Sequence, residues 1–568
     1  MITLLSTWTF GLALALVALG VFVSYKLFSF PDITTDGSFT LGAVVSAVLL
    51  TAGVDPLLAT LGGMAAGATA GVVTALVHAF LGVEPLLAGI LVSTALASVN
   101  LVVLGRSNVP LMNTTTLFDR AEAVAGPAFT ALGLDSAEAG EAARLTVVLA
   151  IVAAAVTGLY LFFRTQLGTA MRAGGDTPTM ARALGRNTGL LTVAGLAISN
   201  ALTAGAGGLV AQYQGFTDVQ MGLGMVVWGM ASVFLGNALV GPVRLGAALV
   251  ATAAGSVTFR LGPAGGPRPR LAEGGHRPRR ARSTRHAAVL RPQGTDLTML
   301  ELCNATVRFA SPGGPQVLAV DGVSLTIAEG AFVVVIGTNG SGKSTLLGSV
   351  AGTVPLSAGE IHLAGHDITA WSQSARARLI GRVFQDPRAG TAGSLTVLEN
   401  IAVAACRGRP AGLRWATSHA LRVEAAARLG RIVPGLEARL DQPIGSLSGG
   451  QRQIVTLVMA TWHRPELLLL DEHTAALDPA AADRVVQATA ALIRERRLTA
   501  LMVTHSLAQA ASLGDRLILI HRGRVELDVS GAAKRRLTPD DLAARFDRLR
   551  RADQLDDAAA RTLAEAYV

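Results

Sequence analysis

Eight apolar runs crowd the first 259 residues of this chain, at 4–25, 38–54, 57–82, 85–104, 145–163, 190–211, 221–240 and 243–259. A helix needs about 20 mostly apolar residues to cross a bilayer, and no single soluble core would supply so many such runs. Only 15% of the 568 residues are charged, against about 25% in a typical soluble protein. A disordered or purely soluble chain is thereby excluded, and a multi-span α-helical membrane domain is expected over 1–259. No cationic stretch precedes the first run, so it reads as a retained span rather than a cleaved signal. Gly63, Gly67 and Gly71 recur every four residues in the third run. They stack on one helix face and predict close approach of a neighbouring backbone, with contact to a substrate as the other reading.

The net charge of +9 first suggests nucleic acid or anionic lipid as a partner. Its location argues otherwise. Residues 1–259 hold nine cations and eleven anions, and 260–296 hold nine arginines against Glu273 and Asp296. The excess sits in an Arg/Pro/Gly-rich linker at 260–298 rather than on a folded surface, so no nucleic-acid partner is expected. The two cysteines, Cys303 and Cys406, exclude a disulfide scaffold and a multi-cysteine metal cluster.

Loop charge orients the front half. The 164–190 loop carries four arginines against Asp176, and the 105–144 loop three arginines against five carboxylates. Cationic loops stay in the cytoplasm, so 164–190 is expected inside, and 105–144 and the N-terminus outside. The short 26–37 loop, with Lys26, Asp32 and Asp36, runs weakly against this. Within the inner loop, 176–186 predicts a short helix with Asp176 as its cap and Pro178 in its first turn. Such a helix suits docking onto another domain; a solvated loop helix is the plainer alternative.

From residue 300 onward, short β-like runs alternate with helical patterns, as in α/β domains. The run Phe332–Gly337 reads as a buried strand, followed by Gly337-Thr-Asn339-Gly340-Ser341-Gly342-Lys343-Ser344-Thr345 and a helix. Strand, glycine-rich loop and helix in that order form a P-loop, whose backbone N–H groups cradle phosphate. Lys343 is expected on the β- and γ-phosphates of ATP and Ser344 on Mg²⁺. Only three lysines occur, Lys26, Lys343 and Lys534, beside 45 arginines. A chain that otherwise uses arginine keeps lysine where a compact point charge must fit between phosphates. The run 467–470 is four leucines ending in Asp471-Glu472, which predicts a strand that delivers Asp471 to Mg²⁺ and Glu472 to the attacking water. Leu447-Ser448-Gly449-Gly450-Gln451 precedes a helix expected over 452–461 and makes a second anion cradle.

These elements, in this order over roughly 299–530, resemble the ATPase domain of ABC transporters. The resemblance implies further roles: Gln385 in RVFQDPRAG as the loop glutamine that senses Mg²⁺ and the membrane domain, and Asp478 in AALDP as the loop aspartate. It also implies His505 in VTHS as the switch histidine, and Phe309, where a tyrosine is usual, as the ring on adenine. His473 stands where many relatives carry another residue. A lone histidine or glutamine would otherwise be a plain surface residue. The stretches FPDITTDGSFTLGAVV (30–45), GTAMRAGGDTPTMARALGRN (168–187) and AQYQGFTDVQMGLGMVVWGMASVFLG (211–236) resemble permeases of the branched-chain amino acid and ribose importer class. That resemblance implies a plasma-membrane importer with its ATPase in the cytoplasm. It further implies a homodimer or a pair with a homologous half, a separate extracytoplasmic binding protein, and a small solute such as an amino acid. It places the 176–186 helix beside the glutamine loop. An exporter half-transporter, or a chain that binds ATP without transport, are the alternatives.

The domains expected are thus a permease at 1–259, the linker at 260–298, an ABC-type P-loop ATPase at 299–535, and a helical tail at 536–568 that begins with Thr538 as cap and Pro539. One inconsistency stands. Eight spans return the chain to its starting side, which would put the ATPase outside. Either the glycine-rich 57–82 run is re-entrant, or a span is missing. Relatives of the permease class usually carry one more apolar helix after a segment like 255–260. Here nine arginines lie between 260 and 291, each costing about 2.5–3.5 kcal/mol to bury in a bilayer. One reading is a frameshift in GC-rich DNA that replaced the last helix and fused two genes. The other is a basic linker that binds anionic lipid. Asp32, Asp36 and Asn200 either line a solute path or pack helices.

Overall fold

A computed structural model describes residues 2–240, 245–261, 298–310 and 316–551. The chain divides into two compact units, Met1–Gly175 with Thr188–Thr284, and Asp176–Asn187 with Arg285–Val568. Most of the linker expected at 260–298, and the tail beyond 551, lie outside the described residues.

Each apolar run of the first unit contains a helix. Among the described residues, six helices are long and apolar enough to cross a membrane: Ile2–Leu27, Thr34–Thr51, Pro56–Leu81, Pro85–Leu104, Ser136–Phe163 and Thr188–Gln214. The first, second and last of these are largely enclosed by neighbours, whereas the other three leave most side chains outward. The last two runs give shorter helices, Met225–Val240 with 16 residues and Leu245–Leu261 with 17. The glycine-rich run is not re-entrant. It is one 26-residue helix, started by Asp55, which accepts from Leu57 N at 2.9 Å, and by Pro56, and stopped at left-handed Gly82.

Its glycine face meets backbone. A Cβ on Gly63 would lie 2.7 Å from the Gly42 carbonyl oxygen, on Gly67 2.5 Å from that of Asn200, and on Gly71 2.2 Å from that of Leu196. Close helix packing therefore accounts for all three, and the substrate-contact reading is set aside. The buried polar residues are likewise spent on helix ends. Asn200 donates to Asp32 Oδ2 at 2.7 Å and accepts from Ser38 Oγ at 2.7 Å. Asp36 accepts from Gly224 N at 3.1 Å and Val226 N at 2.8 Å, at the start of helix Met225–Val240. The solute-path reading of Asp32, Asp36 and Asn200 gives way to packing.

The last helix crosses the unit fully. Near its start, a Cβ on Gly246 would touch the Tyr160 ring at 3.2 Å, close to the end of helix Ser136–Phe163. Near its end, Ser256 Oγ donates to Gly11 O at 2.9 Å and the Arg260 guanidinium lies 4.6 Å from the Phe10 ring centre. Phe10 in turn neighbours Tyr213, whose hydroxyl donates to Glu141 at 2.8 Å near the beginning of that same Ser136–Phe163 helix. Arg260 thus lies beside the third turn of the N-terminal helix. The uninterrupted helix over Pro56–Leu81 removes the re-entrant reading, and the stretch where a further span was expected lies outside the described residues.

The second unit is built on a six-stranded sheet in the order Arg524–Ser530, Arg516–His521, Phe332–Gly337, Thr499–Val503, Leu467–Asp471, Ile380–Val383. All neighbours are parallel except the Arg524–Ser530 edge. The central strands are continuous apolar runs because both faces are covered. Val333, Val335, Leu469, Leu501 and Val503 enter one core, while Val334, Ile336, Leu468, Leu470 and Met502 enter the other. That is the period of two that a strand imposes. A four-stranded antiparallel sheet, Val317–Ala328, Thr298–Phe309, Ala358–Leu363, His366–Asp367, adjoins the first of these cores. In the tail, residues 539–551 are helical, Thr538 and Asp541 cap each other reciprocally, and Leu542 is fully buried in the second core.

Candidate functional site

Strand Phe332–Gly337 ends in a tight loop, and helix Lys343–Ala351 begins at once. Gly340 (φ 78°) and Gly342 (φ 98°) are both left-handed. A Cβ at Gly342 would lie 2.1 Å from the Ala319 carbonyl oxygen, so only glycine fits. Asn339 and Gly340 are exposed at the crest, with Ser344 exposed and Thr345 half-buried in the first helical turn. The Lys343 ammonium folds back to donate to Gly337 O and Thr338 O, each at 2.9 Å. Burial pulls its pKa below the usual lysine range, and the nearby Glu472 carboxylate opposes this. The Ser341 hydroxyl is buried with no hydrogen-bond partner among the described residues. Together with the unsatisfied N–H groups of a helix's first turn, it leaves a cradle of donors suited to phosphate oxygens, which is how these residues fit ATP.

Asp471 and Glu472 leave the adjacent strand together. Glu472 adopts φ 42°, a conformation that costs a non-glycine residue about 1–3 kcal/mol and concentrates at functional sites. Its N–H is pinned to Val503 O at 3.1 Å. The strained turn sets the carboxylate between two partners: Gln385 Nε2 donates to Oε2 at 3.2 Å, and His505 Nε2 lies 2.6 Å from Oε1. Glu472 is buried while the His505 side chain is half-exposed. Asp471 meets Arg382 Nη2 at 3.3 Å. Arg382 was not singled out from sequence, although a charge inside the buried strand Ile380–Val383 is an available flag. His473 is buried with Nε2 3.2 Å from Thr489 Oγ1, and burial drives its pKa down to about 4. It is a neutral packing residue.

The remaining residues lie elsewhere. Ser448 is the N-cap of helix Gly449–Ala460, so the helix starts three residues before the expected 452. The capping exchange explains this: Gln451 N donates to Ser448 Oγ at 3.4 Å and Ser448 N to Gln451 Oε1 at 3.3 Å. Gly449 and Gly450 face Leu477 and Ala481, beside Asp478, which caps helix Pro479–Arg496 through Ala481 N at 2.9 Å. Phe309 ends strand Thr298–Phe309 with its ring 46% exposed, available for stacking.

A second constellation involves residues 176–187, which group with this unit. The expected helix is shorter, Pro178–Ala183, and Asp176 does not cap it; Asp176 ends the preceding helix Gln166–Asp176. Its carboxylate is engaged elsewhere, accepting from Ser394 N at 2.9 Å and Ser394 Oγ at 3.0 Å. Thr177 Oγ1 donates to Thr391 O at 3.0 Å and Thr179 Oγ1 to Ala389 O at 3.2 Å, four residues past Gln385. The buried Arg186 guanidinium donates to Arg409 O and Cys406 O, each at 2.9 Å. Thr391 also accepts through Oγ1 from Arg452 Nε at 2.5 Å, and Gln453 Nε2 donates to Phe384 O at 2.9 Å. Hydrogen bonds therefore run from Thr177 through Thr391 to the helix that Ser448 starts. Arg452 and Thr391 were likewise not singled out from sequence.

Comparison with known proteins adds two family matches and three relatives. A family model described as ABC transporter matches residues 320–475, and one described as branched-chain amino acid transport system / permease component matches 3–264. A tyrosine transport ATP-binding protein of Clostridioides difficile is 40% identical over 253 residues, covering 44% of this chain and 99% of that protein. A tyrosine transport system permease protein of the same organism is 39% identical over 236 residues, covering 42% of this chain and 73% of that protein. A phosphonates import ATP-binding protein of Frankia casuarinae is 40% identical over 220 residues, covering 38% of this chain and 85% of that protein.

Proposed function

We propose a function from one premise: this chain belongs to the ABC transporters, and it joins a permease of the branched-chain amino acid type to an ATP-binding domain. It is a membrane protein with an ATP-binding unit. In our reading it imports an amino acid, with tyrosine the first candidate because relatives of both halves carry that name. A similar ATP-binding half carries a phosphonate import name, so our reading takes the solute from the permease half. Nothing in the permease resemblance favours the exporter alternative.

The observation that carries the hydrolytic reading is Glu472, held by a strained backbone between Gln385 and His505 and beside Lys343. In this mechanism the Lys343 ammonium leaves its two carbonyls for the β- and γ-phosphates of ATP. Glu472 orients the attacking water and His505 contacts the γ-phosphate. Ser344, Asp471 and Gln385 would hold Mg²⁺, which when bound neutralises phosphate charge. Phe309 stacks on adenine. Ser448–Gln451 of a second copy, or of a homologous half, supply the opposite cradle, and Asp478 lies at that junction. Residues 176–187 carry the motion to the permease, and a separate extracytoplasmic protein delivers the solute. The ATP-binding unit lies in the cytoplasm of the cell, where ATP is.

Purified full-length chain in lipid nanodiscs tests this. Glu472→Gln is expected to lower ATP hydrolysis by about 100-fold or more while ATP binding persists. Hydrolysis unaffected by that change would overturn the mechanism. Whether 260–298 is a fusion scar is read from DNA: an apolar stretch of about 20 residues in another frame of 258–297 supports the frameshift, and none in either frame sinks it.

A further inference from the structure

We infer that the permease unit contains a binding chamber for an aromatic amino acid, an inference that rests on the amino-acid-import reading above. It begins with a break in helical structure. Strand Phe216–Asp218 pairs with Asn108–Pro110, and the chain then runs through turns instead of a helix. It descends along helix Thr34–Thr51, where Gly222 N donates to Thr40 Oγ1 at 3.1 Å and Val226 N to Asp36 Oδ1 at 2.8 Å. Phe39 and Gly42 on that helix pack against Gly207 and Ala204, well inside helix Thr188–Gln214. Residues 219–224 are thus irregular backbone laid along a spanning helix, with Gly222 buried and Gln220, Leu223 and Gly224 exposed. Beside a spanning helix, irregular backbone is tolerated where it is buried in protein or lines a water-filled cavity.

A cavity of about 350 Å³ lies there, lined by Phe10, Phe39, Phe216, Gln214, Asp218 and Gln220 among others. Its size falls within the range of small-molecule sites, about 300–1,000 Å³. Its chemistry is divided. The Phe10 and Phe216 rings offer faces and edges to another ring, backed by the covered Phe39. The polar residues sit together on the segment 214–220. Asp218 spends one oxygen on Gln220 N at 2.8 Å, and the side-chain amides of Gln214 and Gln220 make no hydrogen bond among the described residues. A carboxylate free to take an ammonium, two amides free to donate to a carboxylate, and an aromatic wall together match a zwitterionic aromatic amino acid.

The test is equilibrium binding of radiolabelled L-tyrosine to the full chain in nanodiscs, with L-phenylalanine, L-leucine and L-glutamate as competitors. Asp218→Asn and Phe216→Ala are each expected to weaken tyrosine binding roughly tenfold or more, with phenylalanine the best competitor. A Leu149→Ala control, on an outward helix face, keeps the parent affinity and shows that the assay reads the chamber rather than folding. Unchanged affinity in both chamber variants, or equal competition by leucine and glutamate, overturns the inference. So does a parent chain that binds none of the four while hydrolysing ATP, and that result leaves the ATP-driven mechanism standing. Hydrolysis that survives Glu472→Gln is the separate failure of that mechanism.

Discussion

Arg186 offers the sharpest test of how the ATP-binding unit is engaged. Its guanidinium is buried and donates to two backbone carbonyls, those of Cys406 and Arg409, while its own carbonyl accepts from Ser374 Oγ at 3.0 Å. Hydrogen bonds from a charged donor contribute about 1.5–3 kcal/mol each. Against this stands desolvation, which also pulls the Arg186 pKa below the usual arginine range. Arg186→Ala removes both bonds and orphans two carbonyls, so a net loss of about 2–4 kcal/mol is expected, roughly 30- to 700-fold in the docking equilibrium. The readout is cross-linking of Thr179→Cys to Ala389→Cys, whose side-chain hydroxyl and carbonyl now meet at 3.2 Å, after Cys303 and Cys406 are replaced by serine. The Cys406 side chain also bears on Arg186, so the serine-substituted chain is the parent against which Arg186→Ala is compared. Cross-linking slows in Arg186→Ala and recovers in part in Arg186→Lys, which restores the charge without the planar fork. Cross-linking at the parent rate in Arg186→Ala would refute the argument that these two bonds hold the segment.

Two further outcomes are expected. Gly342→Ala forces a left-handed alanine into a carbonyl 2.1 Å away, so binding of a fluorescent ATP analogue falls by well over about tenfold; retained binding would show that the loop tolerates a different path. His473 has a folded pKa of about 4 against an ordinary 6.5, so the unfolded chain takes the proton first. The stability it contributes is complete above pH 6.5 and is lost as pH falls toward 4, about 3 kcal/mol over that window. Denaturant melts of the full chain across that range should show the slope, and His473→Leu should flatten it.

What could be read from sequence was what consecutive residues encode. Phe332–Gly337 followed by glycine-rich loop and helix, and four leucines ending in Asp471-Glu472, declare their local structure because burial on both strand faces needs an unbroken apolar run. The six long apolar helices follow from apolar length alone. What escaped depends on partners far along the chain. Asp176 looks like a cap until Ser394, 218 residues away, takes its carboxylate. Arg382 and Arg452 acquire meaning from Asp471 and Thr391; a charge inside an apolar strand flags the first, and no local pattern points to the second. The short helix Met225–Val240 was expected to begin at 221. It starts later because Gly222 packs against Asp36 and Thr40, leaving no room for a side chain there.

The grouping of Asp176–Asn187 with Arg285–Val568 has a consequence for what joins the two halves. A short segment of the permease sequence is lent to the ATP-binding unit and held by hydrogen bonds from Asp176, Thr177, Thr179 and Arg186. This non-covalent attachment lies a hundred residues before the stretch that joins the two halves along the chain. Cutting the chain within 270–290 and expressing the pieces together should yield two polypeptides that still purify as one. On that outcome the joining stretch acts as stoichiometry control, fixing one ATP-binding half per permease half.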